Sequence, residues 1–413
     1  MKASELKGQT IAFAGSGGLD SCAITRWLAN QGVRVVSMTV NLGQPDDPDL
    51  EQVRRRMLKA GAEEALILEG REYLAREGLR VIQAQARYEG GYWNTTGIAR
   101  YVTADLILRE MRRRGIRVFS HGATGRGNDQ VRFQLATNML EPAFQCYAPW
   151  RDEEFLGAFG GRKEMIDFCQ ANGIPVRHSH EKPYSTDANF LGLTHEAGKL
   201  ESLQVGAWEI EPEFGVRPDK APDSMEEFKV RFEKGVPTRI NGEPVPLVEA
   251  FARANTVGGR NGVGICLHVV ENRFVGIKSR GVYEAPGMEL LGRCYEFLLQ
   301  LILDRRARRV FQRLSETLAE QIYQGFWFDP ASEAVRAAVA QFAEFATGAI
   351  RVGCYKGNVV FLSAANCPQS IYNEQAASME KVGEFNHADS EGLLNVLGVS
   401  ARILAKSGQI ARE

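Results

Sequence analysis

Short apolar runs alternate with helix-period stretches over the first part of the chain. Residues 11–14, 33–40, 65–68 and 116–120 each have the pattern of a buried strand, and helical patterns lie between them. Because strands that alternate with helices pair in parallel, this pattern predicts an α/β fold class with a doubly wound parallel sheet. Ligands of such sheets bind at the carboxyl ends of the strands, so we expect a site in the loops that follow them.

The pattern changes beyond residue 174, where the regular alternation ends. Residues 205–250 are rich in Pro, Glu and Lys, and Asn241-Gly242 predicts a tight turn. The periodicity then predicts one long helix, a second helix, a hairpin and an amphipathic tail helix, over residues 290–313, 333–345, 350–362 and from 391 onward. We therefore predict three parts, a parallel-sheet domain, an α+β domain and a helical tail, with boundaries at 1–175, 176–370 and 371–413.

The first strand runs into a glycine turn that suits a phosphate. Gly15, Gly17 and Gly18 follow the strand, and Asp20-Ser21 opens a helical pattern that ends at Gly32, a residue type favoured just after a helix. A strand, a glycine turn and a helix start together expose backbone N–H groups to an anion.

Two common phosphate loops are excluded by the residues present. A P-loop needs Lys-Ser or Lys-Thr at the end of the turn, and neither is there. The dinucleotide fingerprint needs a third glycine, where Asp20 stands, and an acidic residue about 20 positions later, where Val40 and Asn41 stand. The segment Ser16-Gly-Gly-Leu-Asp-Ser21 instead resembles the pyrophosphate loop of enzymes that split ATP between its α and β phosphates. On this segment alone, an ordinary capped glycine turn stays open as the alternative.

Composition and charge narrow the class of protein. The chain has 413 residues, of which 44% are hydrophobic and 24% charged, as is typical of a globular enzyme of two or three domains. A formal charge of -1 predicts no basic surface for nucleic acid or an anionic membrane. Seven cysteines occur without a C-x-x-C pair, the N-terminus has no signal-peptide pattern, and no apolar stretch approaches the ~18 residues of a membrane span. We expect a cytoplasmic protein with no nucleic-acid and no membrane partner.

A second glycine cluster, His121-Gly-Ala-Thr-Gly-Arg-Gly-Asn-Asp-Gln130, follows another predicted strand. It would therefore lie on the same edge of the sheet as the first loop. Its polar side chains, with Arg132 just beyond, supply donors and acceptors of both signs, which suits a zwitterionic amino acid better than a bare phosphate. A turn with a capped helix start is the alternative.

A third cluster combines Tyr184-Ser-Thr-Asp-Ala-Asn189 with Thr194-His-Glu196. His195-Glu196 does not begin a zinc-protease helix, because Lys199 stands where the second histidine would be. His178 and His180 lack a third ligand at metal-site spacing, so we interpret them as loop histidines. The sequence predicts no metal site made by protein ligands alone.

A fourth cluster runs from Gly258 to Gly264 and on through residues 271–286; alone, it would fit a tight hairpin with a charged face. Together and in this order, the four clusters closely resemble the argininosuccinate synthase family, nearest its longer bacterial type. Further matches are Asn41-Leu-Gly-Gln-Pro45, Tyr323-Gln-Gly-Phe-Trp-Phe-Asp329 and Ser378-Met-Glu-Lys381. The resemblance covers residues 10–400, approximately the whole chain.

The resemblance implies an ATP-dependent C–N ligase of the pyrophosphatase type. ATP with Mg²⁺ would adenylylate the ureido oxygen of citrulline and release pyrophosphate; the amine of aspartate would then displace AMP to give argininosuccinate, in arginine biosynthesis. The α+β part would be the synthetase domain, and the C-terminal tail would be the arm of a homotetramer.

The resemblance also implies roles for single residues. Asp20, Ser21 and Asp129 would be catalytic, Asp20 by helping to hold Mg²⁺ on the pyrophosphate. ATP would be bound by Ala12, Phe13, Ala14, Ser16, Gly17, Gly18, Leu19, Asp20, Ser21, Cys22, Val40, Gly122, Thr124 and Asp187. Aspartate would be bound by Thr124, Asn128 and Asp129. Citrulline would be bound by Tyr92, Asn128, Arg132, Ser185, Thr194, Glu196, Glu271 and Tyr283.

The chain departs from the family pattern at several positions. Ala14-Gly15 is an apparent insertion before the loop, and the other departures are Ser21-Cys22, Val40, Arg126 and Gly97. They leave open a related ligase that acts on a different ureido or amino-acid substrate. A tRNA-modifying enzyme would want a basic face and a catalytic thiol, and we interpret Cys22 as core packing. A non-catalytic sensor would be expected to lose Ser16, Asp20 or Ser21, yet all are present.

Overall fold

The computed structural model describes residues 1–45, 47–175, 184–380 and 386–410. These residues form two compact units, 1–368 and 369–413. The predicted boundaries at 175 and 370 stay predictions. The first part of the larger unit is the expected alternation of strands and helices: β1 Thr10–Ala14, α1 Leu19–Asn30, β2 Arg34–Asn41, α2 Leu50–Lys59, β3 Glu64–Glu69, α3 Arg71–Ala84, α4 Thr95–Arg114, β4 Val118–His121, α5 Asp129–Leu140, β5 Gln145–Tyr147, α6 Glu153–Ala158 and α7 Arg162–Ala171.

The first five strands form one parallel sheet in the order β3-β2-β1-β4-β5. Successive side chains of a strand point to opposite faces, and β1 shows how this builds two layers. Ile11 and Phe13 pack with α1 and α2, whereas Ala12 packs with α3 and α4. The α/β prediction is confirmed, and the strand order reverses between β1 and β4, where ligands of doubly wound sheets bind.

The second part contains antiparallel sheets packed with helices. Its elements are β6 Ser185–Asn189, β7 Gly192–Glu196, β8 Glu226–Glu233, β9 Val236–Ile240, β10 Glu243–Pro244, α8 Leu247–Arg260, β11 Leu267–Asn272, β12 Lys278–Glu284, α9 Pro286–Ile302, α10 Arg305–Gln324, α11 Pro330–Ala343, β13 Gly348–Tyr355 and β14 Asn358–Ala365. One sheet has the order β11-β12-β7-β6 and the other β10-β9-β8-β13-β14. The C-terminal unit contains α12, His387–Lys406.

One helix prediction was wrong in its extent. The single helix expected over 290–313 is two helices, because Asp304 accepts a hydrogen bond from the Ala307 N–H at 2.8 Å and begins α10. The glycines 258 and 259 lie in α8 rather than in a hairpin, and the hairpin is formed by β11 and β12. Within the described ranges, no helix is long and apolar enough to cross a membrane.

Candidate active site

A cavity of about 580 Å³ lies at the carboxyl ends of β1, β2 and β4. Its wall on one side is the first glycine loop, and on the other the second glycine cluster and strand β6. Predicted site residues that line it are Ala14, Ser16, Gly17, Gly18, Leu19, Asp20, Ser21, Val40, Gly122, Thr124, Asp129, Asp187 and Glu196. The cavity therefore joins three of the four clusters that the sequence singled out.

The first glycine loop is held by its own two serines. The Ser16 N–H donates to the Ser21 hydroxyl at 3.1 Å, and the two hydroxyl oxygens lie 3.0 Å apart. Helix α1 begins after Gly18 with no side chain capping its first turn. Unmet N–H groups at such a start point outward and favour an anion, which is the property that a pyrophosphate needs.

Glycine is required at two loop positions by close contacts. A Cβ on Gly15 would lie 2.3 Å from the Ser37 hydroxyl, and the Gly15 carbonyl accepts from Thr39 at 2.7 Å. Gly17 has φ +70°, and a Cβ there would lie 2.9 Å from Val53. Ala14 ends β1, the Gly15 N–H donates to the Met38 carbonyl of β2 at 3.2 Å, and the loop that follows lines the cavity.

The second glycine cluster is anchored at both of its ends. The Ala123 N–H donates to Nδ1 of His121 at 3.2 Å, and the Gln130 amide donates to the Gly125 carbonyl. Burial lowers the pKa of His121 to about 3, so its ring is neutral and acts as an acceptor. The strand-to-helix turn from β4 to α5 brings Asp129 to the cavity wall.

Arg100, which the sequence analysis did not select, connects two predicted site carboxylates. Its Nε donates to Asp129 at 2.9 Å, and a terminal nitrogen donates to Asp187. Arg132 donates to the other oxygen of Asp129 at 2.6 Å. Burial opposes ionisation of Asp129, but Arg100 and Arg132 outweigh it and hold the pKa at about 2. Burial also raises the pKa of Asp187, which Arg100 partly offsets. Asp187, Arg100, Asp129 and Arg132 therefore form an alternating row of carboxylates and guanidinium groups, whose first three members line the cavity.

Beyond this row lies a group of four tyrosines. Tyr92 stacks on Tyr283 with ring centroids 4.1 Å apart, and Tyr88 stacks on Tyr323 at 3.7 Å. The Tyr92 hydroxyl accepts from the Thr96 N–H at 3.0 Å, and the Thr96 and Thr194 hydroxyls lie 2.9 Å apart. The pairing of β7 with β12 places Thr194 opposite Tyr283. Predicted citrulline residues from three distant parts of the chain thus meet here.

Two carboxylates lie near this part of the site: Glu271 is buried against the tyrosines, and Glu196 is partly exposed on the cavity wall. Glu271 accepts a hydrogen bond from the Tyr323 hydroxyl, and its other oxygen, Oε1, is buried without a partner among the described residues. Burial raises the pKa of Glu271 to about 7, although Tyr323 and Arg132 act in the opposite direction. Burial likewise raises the pKa of Glu196, which Arg273 approaches at 3.4 Å. An unpaired buried carboxylate oxygen is a ready partner for an ammonium group.

Some predicted site residues do not line the cavity. Ala12, Phe13 and Cys22 are fully buried in the core on either face of the sheet. Burial raises the pKa of the Cys22 thiol to about 12, which agrees with its interpretation as core packing. Ser185 is exposed on β6, opposite Glu196 in the strand register. His178, His180 and Lys381 lie outside the described residues, as does the whole 176–183 segment before the third cluster.

His195, which does not begin a zinc-protease helix, lies on strand β7, where its Nε2 is 2.6 Å from Glu284. Among the described residues, no group of three or more His, Cys, Asp and Glu side chains is arranged to hold a metal.

Fold and cavity together define a nucleotide-binding enzyme with a pyrophosphate-type loop at the reversal point of a doubly wound sheet. Residues 10–175 match the family model described as "Arginosuccinate synthase N-terminal HUP domain" and residues 184–404 match "Arginosuccinate synthase C-terminal domain". The chain belongs to the argininosuccinate synthase family.

Relatives from distant organisms are similar over almost their whole length. The argininosuccinate synthase of Rhodopirellula baltica is 41% identical over 397 residues, which cover 96% of this chain and 98% of the relative. That of Thermotoga maritima is 37% identical, covering 97% and 99%, and that of Danio rerio is 37% identical, covering 95% of each chain.

Proposed function

We propose that this chain joins citrulline and aspartate into argininosuccinate at the expense of ATP, with AMP and pyrophosphate as the other products. The observation that carries the proposal is one continuous site. The glycine loop, Arg100, Asp129, Asp187 and Glu196 line one cavity. Arg132 bonds to both Asp129 and the Tyr323 carbonyl, and the Tyr323 hydroxyl donates to the buried Glu271, so these contacts connect the cavity to the tyrosine group.

On the nucleotide side, we assign the pyrophosphate to the loop and the first turn of α1. The N–H groups there and the hydroxyls of Ser16 and Ser21 would bind the phosphates as they leave. Val40, Gly122, Thr124 and Asp187 would contact the rest of the nucleotide, while Ala12, Phe13 and Cys22 support the loop from the core.

On the amino-acid side, the charges divide between the two substrates. The citrulline ammonium would pair with Glu271 and Glu196, and its carboxylate with Arg132. Asn128, Asp129 and Thr124 would hold aspartate. The ureido group would then lie among the hydroxyls and amides that face the nucleotide, notably Tyr92, Thr194, Tyr283 and Ser185.

The chemistry requires no nucleophile from the protein. The ureido oxygen attacks the α phosphorus, and the aspartate amine then attacks the activated carbon and displaces AMP. The protein contributes positioning and charge stabilisation, which are sufficient to lower such barriers by several kcal/mol. We expect no covalent enzyme intermediate.

Mg²⁺ fits the nucleotide side through Asp20. Mg²⁺ is usually held by one or two carboxylates together with substrate phosphates, and Asp20 is a carboxylate on the cavity wall in the first turn of α1. The ion would neutralise the departing pyrophosphate. An Asp20→Asn variant should need about tenfold more Mg²⁺ for half-maximal pyrophosphate release; an unchanged Mg²⁺ requirement would remove Asp20 from this role.

The competing ligase, specific for another ureido or amino-acid substrate, is not favoured. The family models cover the chain almost completely, and the relatives named above share one name. The carboxylates and guanidinium groups described above also match the charges of an amino-acid pair.

Assembly, location and domain division complete the proposal. Helix α12 carries large apolar side chains that are mostly exposed, including Leu393, Leu394, Val396 and Leu397, which supports a homotetramer built through this arm. Light scattering should give the mass of four chains, and a smaller particle for Leu394→Asp.

Seven free cysteines agree with a cytoplasmic location. We keep the division into a nucleotide domain, a synthetase domain and a tail.

Pyrophosphate release tests the proposed reaction. Purified protein is given ATP and Mg²⁺ with citrulline alone, aspartate alone, or both. Sustained release only with both, together with a product of argininosuccinate mass, supports the proposal. Turnover with a different amino acid or ureido compound, and none with this pair, contradicts the substrate assignment but leaves the nucleotide chemistry.

A further inference from the structure

The tip of the β11–β12 hairpin, residues 273–277, touches the proposed site although no residue of it was assigned a role. The tip is a tight three-residue loop: the Arg273 N–H donates to the Ile277 carbonyl at 2.9 Å, and the Gly276 N–H donates to the Arg273 carbonyl at 2.9 Å. Gly276 has φ +91°, as the last residue of such a loop requires. The tip is therefore a defined turn, with Phe274 at its second position.

The tip reaches the second glycine cluster through its backbone. The Phe274 N–H donates to Oδ1 of Asn128 at 3.1 Å. Because an N–H can only donate, this bond fixes the amide of Asn128 with its oxygen toward the tip. The amide nitrogen then faces away from the tip, and the structure gives it no partner among the described residues. Asn128 is thus presented as a donor, which suits the carboxylates of amino acids.

A second contact comes from Arg273. Its guanidinium lies 3.4 Å from Glu196 and 3.4 Å from the Arg126 carbonyl. Glu196 is one of the two carboxylates proposed for the citrulline ammonium, and no other ion pair to it is formed among the described residues. Arg273 therefore holds Glu196 in place from the side of the tip.

The tip is itself fixed to the rest of the protein. The Phe274 ring meets Phe326 edge to face at 5.7 Å, and the Asn272 carbonyl at the base of the tip accepts from Tyr88 at 2.7 Å. Phe274, Val275 and Ile277 are nevertheless about half exposed. Because the turn is anchored at its base, it can hold Asn128 and Glu196 in fixed orientations, and it need not contact substrate to do so.

We propose that the hairpin tip is a positioning element: the Phe274 N–H orients Asn128 for both amino-acid substrates, and Arg273 orients Glu196 for citrulline. The proposal rests on the site assignment given above. It extends that assignment to two residues that bind no substrate directly.

A pair of substitutions at Phe274 isolates the N–H. Phe274→Pro and Phe274→Ala both remove the ring, but only proline removes the N–H, and the second position of a β-turn favours proline. We expect KM for both citrulline and aspartate to be about tenfold higher in Phe274→Pro than in Phe274→Ala, with kcat changed much less, since one charge-assisted bond is misaligned in each case. Equal KM values in the two variants would overturn the role of the N–H.

Substitution of Arg273 gives a different expected pattern. Arg273→Ala should raise KM for citrulline about fivefold and leave KM for aspartate unchanged, because Glu196 belongs to one substrate only; Arg273→Lys should recover part of the loss. Equal changes for both substrates, or none, would overturn this half of the proposal.

Calorimetric binding separates the failure of the inference from that of the proposed function. The dissociation constants of citrulline and aspartate are measured for the wild type and for each variant without turnover. A wild type that binds both amino acids but forms no argininosuccinate contradicts the proposed function. In that case the ratio of the dissociation constants of Phe274→Pro and Phe274→Ala still decides whether the tip positions Asn128. A wild type that binds neither amino acid contradicts both.

Discussion

The two sides of the proposed site offer different groups to their ligands. On the proposed nucleotide side, backbone N–H groups and hydroxyls are held by contacts that only glycine permits, as at Gly15 and Gly17. On the proposed amino-acid side stand charged side chains, of which Arg132 and Glu271 are buried and Asp129 lines the cavity.

This difference has consequences for what each side tolerates. A backbone site depends on local conformation and is insensitive to pH, because peptide groups do not titrate. A site of buried charges depends on the balance of its pairs, and removal of one partner leaves the other uncompensated. Substitutions on the nucleotide side should therefore act by straining the backbone. Substitutions on the amino-acid side should act by leaving a charged group without its partner.

The largest effect is expected from Asp129→Asn. Asp129 accepts from both Arg100 and Arg132, so its neutralisation leaves Arg100 with Asp187 alone and the buried Arg132 without its carboxylate partner. Loss of one partner from a buried pair costs about 3–5 kcal/mol, so turnover should fall about 10³-fold in a steady-state assay. Asp152→Asn is the control, because Asp152 is buried more deeply than Asp129 but bonds to Ala3 and Tyr147. It should lower the melting temperature with little change in kcat per folded molecule; a similar loss of turnover in both variants would contradict the account.

Gly17→Ala tests whether backbone strain in the glycine loop weakens ATP binding. A left-handed conformation costs a residue with a Cβ about 1–2 kcal/mol, and the new Cβ would press on Val53. We expect KM for ATP to rise about tenfold with citrulline and aspartate KM values unchanged. Gly8→Ala carries the same strain at φ +78°, with no neighbour within 4 Å and away from the cavity. It should lose stability without a change in KM for ATP.

The pH profile separates the two sides further. The pKa of Glu271 is raised to about 7 by burial, and only its ionised form pairs with an ammonium. kcat/KM for citrulline should fall as pH decreases through about 7, approaching tenfold per unit, while KM for ATP stays level. A profile for citrulline that is flat between pH 6 and 8 would contradict this assignment.

Stability of the ligand-free protein should change in the opposite direction. A carboxyl whose folded pKa exceeds its unfolded value stabilises the fold when protonated, and this contribution is lost as pH rises through the folded pKa. For Glu271 the window runs from the ordinary value of 4.5 to about 7. Glu271→Gln should therefore melt above the wild type at pH 8 and close to it at low pH, as measured by thermal unfolding.

The smallest expected effect is that of Tyr323→Phe. The Tyr323 hydroxyl donates to Glu271 and lowers its pKa against the effect of burial. Without this hydroxyl, the pH profile of kcat/KM for citrulline should shift to higher pH. kcat/KM should therefore fall about three- to tenfold near neutral pH and recover in alkaline buffer. A loss that persists at high pH would show that Tyr323 contributes packing rather than charge control.

The nucleotide side could be predicted almost completely from the sequence. The strand, the glycine turn and the helix start are contiguous, so local propensity alone places Ser16, Asp20 and Ser21 at a sheet edge. The second cluster follows β4, and its position on the same edge follows from parallel pairing. Both predictions are confirmed by the cavity lining.

The amino-acid side could not be assembled from local patterns. Tyr88 meets Tyr323, and Arg100 meets Asp129, only through tertiary packing. The local signal for Arg100 is a polar row, Thr96, Arg100 and Thr103, at helical spacing in the first half of α4. Apolar periodicity does not reveal the break at Asp304, because it continues across that residue; the signal for the break is the capping side chain of Asp304 itself.

The central claim is that citrulline is activated through its own oxygen, and isotope transfer tests it most directly. Citrulline labelled with a heavy oxygen isotope in the ureido group is supplied with ATP, Mg²⁺ and aspartate, and the AMP formed is analysed by mass spectrometry. The account predicts that each AMP carries one heavy oxygen, because the ureido oxygen leaves with the α phosphate. AMP without the label, formed alongside argininosuccinate, would contradict activation at this atom.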